Sequence, residues 1–222
     1  MRQIFTTCKY VVWFCSMRTT KLSNDYEAER TLIREAGGCF RMSDALRMGI
    51  SRRTLYLMRD LGIIQPLSRG LYRLSELPDL AEPDLVVATL RIHEGVLCLI
   101  SALAFHGLTT QVPHEIQIAI DRHRRSPVRI DYPPVRVFRF SGPAFAEGVE
   151  TSTIDGISIK VYSPEKTIAD CFKFRLKLGV DVAIEALKLW WNRPNRDVSA
   201  LIRYARICGV ERVIRPYVEA LQ

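Results

Sequence analysis

Ser51-Arg52-Arg53-Thr54-Leu55-Tyr56-Leu57-Met58-Arg59-Asp60-Leu61-Gly62, continuing as Ile63-Ile64-Gln65-Pro66-Leu67-Ser68-Arg69-Gly70-Leu71-Tyr72-Arg73-Leu74, predicts a short helix that runs into a β-hairpin. Ser51 offers a side-chain oxygen to the first free backbone N–H groups, and Gly62 supplies the stop, so the helix is expected from Arg52 to Leu61. Leu55, Met58 and Leu61 recur every three residues and are expected to face the core. Arg52, Tyr56 and Arg59 stand at i, i+4 and i+7 on another face, with Arg53 beside them. Two apolar runs around the Gly-containing turn Ser68-Arg69-Gly70 read as a hairpin.

Working upstream, Asp25–Ala36 reads as a helix with Asn24 as its cap and Gly37-Gly38 as its end. Ser43 is expected to cap a second helix, Asp44–Met48, that stops at Gly49. Three short helices followed by a hairpin is the layout of a winged helix-turn-helix, whose third helix enters the major groove. Between residues 41 and 73 there are seven arginines and no lysine against two aspartates. The planar guanidinium fork suits base edges and phosphates better than a lysine ammonium does. Taken singly, arginines on a small helix are its solvated face. Here they sit on the one helix that the layout would place in the groove. The expected DNA-binding residues are therefore Ser51, Arg52, Arg53, Tyr56 and Arg59, with Ser68 and Arg69 at the wing tip holding a backbone phosphate or the minor groove.

The whole chain fits that direction. Its 222 residues are 48% hydrophobic and 25% charged, the balance of an ordinary globular protein, and the formal net charge is +8, which favours a polyanionic partner. Cys8, Cys15, Cys39, Cys98, Cys171 and Cys208 form no C-x-x-C pair and no zinc-site spacing. Cys98, Cys171 and Cys208 fall in apolar stretches and read as small buried hydrophobes, so a reducing, cytoplasmic compartment is expected. The opening residues MRQIFTTCKYVVWFCS are apolar, but Lys9 interrupts them and no clear cleavage site follows. The run is too short and mixed to span a bilayer. Residues 1–20 are set aside as a leader, either disordered or a start placed too early, and no membrane partner is expected.

Ser75–Asp84, SELPDLAEPD, carries Pro78, Pro83 and four carboxylates and reads as a linker. It separates a winged helix-turn-helix domain at 21–80 from a larger domain at 84–222. In the latter, helices are expected at Asp84–His93 and Leu99–His106, with Gly107 as a stop. Glu115–Asp121, Val135–Phe140 and Gly156–Tyr162 read as strands. Ser163 with Pro164 at the first turn is a strong helix start, followed by helices at 164–176, 179–192, 197–207 and 210–221. Strands followed by a run of helices argue for an α+β fold. Ala183, Leu187, Trp190 and Trp191 suit core packing, with one tryptophan of the pair facing outward toward a partner. Arg122, Arg124, Arg125, Arg129, Arg136 and Arg139 form a candidate second basic surface, equally readable as a solvated loop.

No catalytic, metal or cofactor site is expected. A nucleotidyltransferase needs paired carboxylates on a strand to hold Mg²⁺, whereas Ile118-Ala119-Ile120-Asp121 offers one, followed by Arg122. There is no P-loop and no G-x-S-x-G. His93, His106, His114 and His123 lack metal-ligand spacing, and His106 reads as a helix-end packing residue. Glu165 and Asp170 lie five apart and point in different directions. Glu165 and Lys166 suit a solvated first turn, and Ser163 is an N-cap rather than a nucleophile.

Several segments together resemble the AbiEi-type antitoxins, transcriptional regulators of type IV toxin–antitoxin systems linked to abortive infection. They are Glu35-Ala36-Gly37-Gly38, the helix from Ser51 to Tyr56, Gly62-Ile63-Ile64 and Ser68-Arg69-Gly70-Leu71-Tyr72. In the second block, Ser101-Ala102-Leu103-Ala104-Phe105-His106-Gly107-Leu108 and Ser163-Pro164-Glu165-Lys166-Thr167-Ile168-Ala169-Asp170 are similar to that family's more specific helices. The resemblance implies a winged helix that binds repeats in double-stranded DNA of the protein's own promoter and represses it. It also implies that the second domain is an antitoxin-type α/β domain that counters a nucleotidyltransferase-like toxin, directly or indirectly. Two alternatives stay open: a protein- or RNA-binding antagonist acting through the loop at 122–139 without a DNA role, and a solitary transcriptional regulator.

Overall fold

A computed structural model describes residues 26–125 and 132–221. The leader, the expected cap Asn24 and Arg129 of the basic cluster lie outside the described residues. The fold is α+β, and the chain divides into two compact units, Met1–Asp79 and Leu80–Gln222.

The first unit runs α1 (Glu27–Glu35), β1 (Cys39–Arg41), α2 (Met42–Arg47), α3 (Arg52–Asp60), β2 (Ile64–Ser68) and β3 (Leu71–Leu74). The strands form an antiparallel sheet in the order β1-β3-β2. β2 and β3 are the expected hairpin, closed by the two-residue turn Arg69-Gly70, with Gly70 at φ 74°. Ile33, Phe40, Ala45, Ile50, Leu55, Met58, Ile64 and Leu74 make one core. This is the winged-helix layout, and it differs from the sequence reading in three places. β1 was not expected: its three residues are too few to show a period. Met42 N–H donates to the Gly70 carbonyl, which draws the start of α2 two residues earlier than Asp44. Ser43 is therefore inside the helix, its hydroxyl bonded to Asp44 instead of capping. Leu61 is the C-cap of α3 and is 42% exposed, so Leu55 and Met58 alone anchor that helix in the core.

The second unit is built on a five-stranded mixed sheet in the order β6-β5-β4-β8-β7. In chain order it runs α4 (Pro83–Arg91), β4 (Val96–Leu97), α5 (Leu99–Phe105), β5 (Ile116–Asp121), β6 (Val135–Phe140), α6 (Pro143–Ala146), β7 (Val149–Ile154) and β8 (Ile157–Tyr162). The helices α7 (Pro164–Lys173), α8 (Arg175–Leu178), α9 (Val180–Trp191), α10 (Val198–Ile207) and α11 (Glu211–Glu219) complete it. Alternation along β5 and β6 gives the sheet two apolar faces. Ile118 and Ile120 meet Ala88 of α4 and Ile92 at its C-cap. Ala119, Phe138 and Phe140 turn the other way, into a core shared with α5, α7, α9 and α10. Ser163 caps α7 as expected, accepting from Lys166 N–H at 3.3 Å. The helix expected over 164–176 stops at Lys173, and α8 ends at Gly179, whose φ of 100° breaks the path. Trp190 is buried and Trp191 is half-buried beside it.

One residue reverses its expected environment. Lys166 is fully buried rather than solvated, and its Nζ lies 2.5 Å from Asp170 Oδ2. It also lies over the Tyr162 ring at 4.2 Å and the Phe140 ring at 5.0 Å. The first turn of α7 faces the sheet, and an ammonium there is tolerable only because a carboxylate sits one helical turn on.

Candidate nucleic-acid interface

The helix α3 owes its start to Ser51, whose Oγ accepts from Thr54 N–H at 3.1 Å and lies 2.8 Å from Thr54 Oγ1. Ser51 is thus occupied as a cap. Behind it the first turn carries Arg52 and Arg53 and no acidic residue. That is an unfavourable position for cations, because the helix N-terminus carries the positive end of the backbone dipole, at a cost of about 0.3–1 kcal/mol each. Folding stability alone gives no reason to put two arginines there.

Most arginines of the first unit are spoken for. Arg30 and Arg34 hold Glu76 at 3.0 and 2.5 Å. Arg47 pairs with Asp44 at 2.5 Å. Arg73 is buried and donates to the Leu77 and Pro78 carbonyls, fixing the chain as it leaves the sheet. Arg41 and Arg69 also have interactions of their own. Arg52 and Arg53 are exposed and have no ion pair or side-chain hydrogen bond among the described residues.

Arg59 differs from its neighbours. Its Nε and NH2 both reach Asp60 Oδ1, at 3.0 and 2.8 Å, and its guanidinium lies 5.1 Å from the centre of the Tyr56 ring. Hydrogen bonding to Asp60 and that carboxylate's charge push its pKa up from the ordinary arginine value. Tyr56 is 43% exposed and forms a platform under Arg59. At the turn of the hairpin, Arg69 is exposed and Ser68 half-buried.

The second basic cluster is thinner than its sequence suggests. Arg124 is paired with Glu94, and Arg136 with Glu115 at 3.2 Å. Arg139 donates to the carbonyls of Arg122 and Arg124 at 3.0 and 2.8 Å, so it holds the turn after β5 together. Arg122 and Arg125 are the exposed remainder among the described residues. No signal in a single sequence separates a structural arginine such as Arg139 from a surface one.

Elsewhere in the second unit, Ser101 and His106 are held in hydrogen bonds. His106 Nε2–H donates to the Tyr162 carbonyl at 2.7 Å. Ser101 Oγ donates to the Glu115 carbonyl and accepts from Gln117 N–H at 2.9 Å. A half-open groove of about 710 Å³, lined by Glu82, Asp84, Phe105 and Thr110 among others, contains that serine, and among the described residues no histidine lines it. Cys98, Cys171 and Cys208 here and Cys39 in the first unit are buried and in no disulfide, and burial pushes Cys98 and Cys171 well above the ordinary thiol value. Among the described residues there is no group of three or more His, Cys, Asp or Glu able to hold a metal ion. Nor is any described helix long and apolar enough to cross a membrane.

Compared with known proteins, residues 27–75 match the family model described as transcriptional regulator, AbiEi antitoxin. The match spans α1 through β3 and ends before the second unit. Over that stretch the resemblance read from the sequence is shown. No curated protein matches the chain.

Proposed function

We propose that this protein is a DNA-binding transcriptional repressor of a toxin–antitoxin operon, and that it acts as the antitoxin. The observation that carries the DNA-binding part is the adjacent pair Arg52 and Arg53, exposed at the start of α3, against the dipole and without internal partners among the described residues. In this reading α3 enters the major groove N-terminus first. Arg52 and Arg53 meet bases and phosphates there, while Tyr56 with Arg59 lines one wall. Arg69 at the wing holds a neighbouring phosphate. Ser51 acts by capping the helix that carries the arginines, and Ser68 by ending the strand that presents Arg69.

The match of residues 27–75 to a transcriptional-regulator antitoxin family supports the same assignment. The promoter repeats, the nucleotidyltransferase-like toxin countered by the second unit, the type IV and abortive-infection context and a cytoplasmic location are part of the proposal. So is the absence of catalysis, which the committed state of Ser101 and His106 supports. Of the second basic surface, Arg122 and Arg125 are the members suited to a phosphate backbone.

The test is a gel shift of the full chain on the duplex upstream of its own gene. The protein should shift that duplex, and Arg52→Ala with Arg53→Ala should abolish the shift at moderate salt while leaving the circular dichroism spectrum unchanged. A double variant that shifts the duplex as the parent does would remove α3 from the interface.

A further inference from the structure

The outward face of α3 is not uniformly basic. Leu55 at 1% exposure and Met58 at 0% define its core side. At about 100° per residue, the direction opposite them falls between Arg53 and Asp60, with Tyr56 and Leu57 about 50° to either side. Arg52 and Arg59 lie on the flank beyond Tyr56. The surface that would lie deepest in a groove therefore has an aromatic–guanidinium side and an aliphatic side. Leu57 and Leu61 make the aliphatic side, each 42% exposed, and Leu57 is the one nearer the outward direction. Arg59 is turned onto Tyr56 and tied to Asp60, so it leaves the Leu57 side open.

We infer that Leu57 is a specificity-determining residue that reads the 5-methyl group of a thymine in the major groove. The inference rests on the DNA-binding reading above. An exposed leucine beside Arg53 cannot itself help hold a phosphate. The major groove, however, presents one apolar feature among its donors and acceptors, the thymine methyl. Arg53, one turn earlier on the same stripe, brings the charge complementarity that holds this face against a duplex. The rival occupant, a second copy of the chain on the same leucine, is an outcome of the test.

The full chain is used to select from a pool of random double-stranded DNA. In the selected duplex each thymine is then replaced singly by deoxyuridine, which keeps the pairing and loses the methyl. Replacement at one thymine per bound site should weaken the parent by about fourfold, the worth of one methyl-sized apolar contact. The same replacement should leave Leu57→Ala within about 1.5-fold of its own value, because the contact is already gone. Leu57→Asn should shift the selected base at that position from thymine toward adenine, which offers N6 and N7 to a side-chain amide. Equal sensitivity of parent and Leu57→Ala at every thymine would overturn the inference while leaving DNA binding intact. So would a change in oligomeric state on Leu57→Ala without any thymine dependence. Failure of the parent to retain any duplex would instead overturn the DNA-binding reading, and this inference with it.

Discussion

Lys166 Nζ and Asp170 Oδ2 lie 2.5 Å apart, one helical turn from each other, with neither side chain reaching solvent. Cys208 Sγ–H adds a hydrogen bond to the other carboxylate oxygen at 3.1 Å. Removing one member strands the other charge in a low-dielectric core, which costs about 3–5 kcal/mol. Lys166→Met and Asp170→Leu should each lower unfolding free energy by roughly that amount in urea titrations followed by tryptophan fluorescence. The double variant should recover most of the loss. Single variants within about 1 kcal/mol of the parent would show that the pair is dispensable.

Burial pushes the Asp170 carboxyl above the usual carboxylate range, against the opposing pull of Lys166 and the Cys208 thiol. With a folded pKa raised above the unfolded one, the folded state keeps this proton where the unfolded chain has lost it. Its contribution to stability therefore grows as pH falls through the folded value toward the ordinary one, and shrinks as pH rises through that window. Asp170→Asn deletes the effect. The stability of the parent relative to Asp170→Asn should rise from neutral pH toward pH ~4. A relative stability that falls toward acid would mean that the pairing with Lys166, not burial, dominates the carboxyl.

Gly148 sits at φ 72°, and a Cβ there would lie 2.8 Å from Lys166 Cβ and 2.9 Å from its Cγ. Gly209 has the same φ of 72° with nothing within 4 Å of its would-be Cβ. Gly209→Ala should cost about 1 kcal/mol for the left-handed backbone alone. Gly148→Ala adds displacement of the buried lysine and should cost clearly more in the same thermal or urea unfolding experiment. Equal costs would show that Lys166 can yield without penalty.

Ser51 separates folding from binding. Ser51→Ala loses the bond to Thr54 N–H and should destabilise the first unit by about 1 kcal/mol. Ser51→Asp keeps a capping oxygen and favours the helix dipole, so stability should be held. The same change sets a negative charge beside Arg52 and Arg53, so DNA affinity should fall in a gel shift although the fold is retained. If Ser51→Asp binds as tightly as the parent, the N-terminus of α3 is not at the interface.

The elements with chemical punctuation were legible. Ser51 and Gly62 bracket α3, Ser163 and Pro164 open α7, and Gly70 closes the hairpin, because a cap or a positive φ is written in one or two residues. β7 was not legible: Glu150, Thr151 and Thr153 belong to an edge strand whose residues are largely exposed, so no apolar alternation marks it. β4 is only Val96–Leu97, set by its neighbours on both sides. Lys166 was misplaced because a lysine in a first turn normally points to water, and only the packing of α7 on the sheet reverses that. At the interface, arginine positions were readable but their partners were not. Pairing of Arg59 with Asp60, of Arg124 with Glu94 and of Arg136 with Glu115 depends on rotamers and on distant strands.

The most direct test of the central claim is the salt dependence of binding between the full chain and the duplex upstream of its gene. For the parent, log affinity should fall linearly and steeply with log salt concentration. Arg52→Ala with Arg53→Ala should weaken binding and flatten that slope by about two, one phosphate-equivalent per arginine. A double variant with the affinity and slope of the parent would contradict the placement of α3 on DNA.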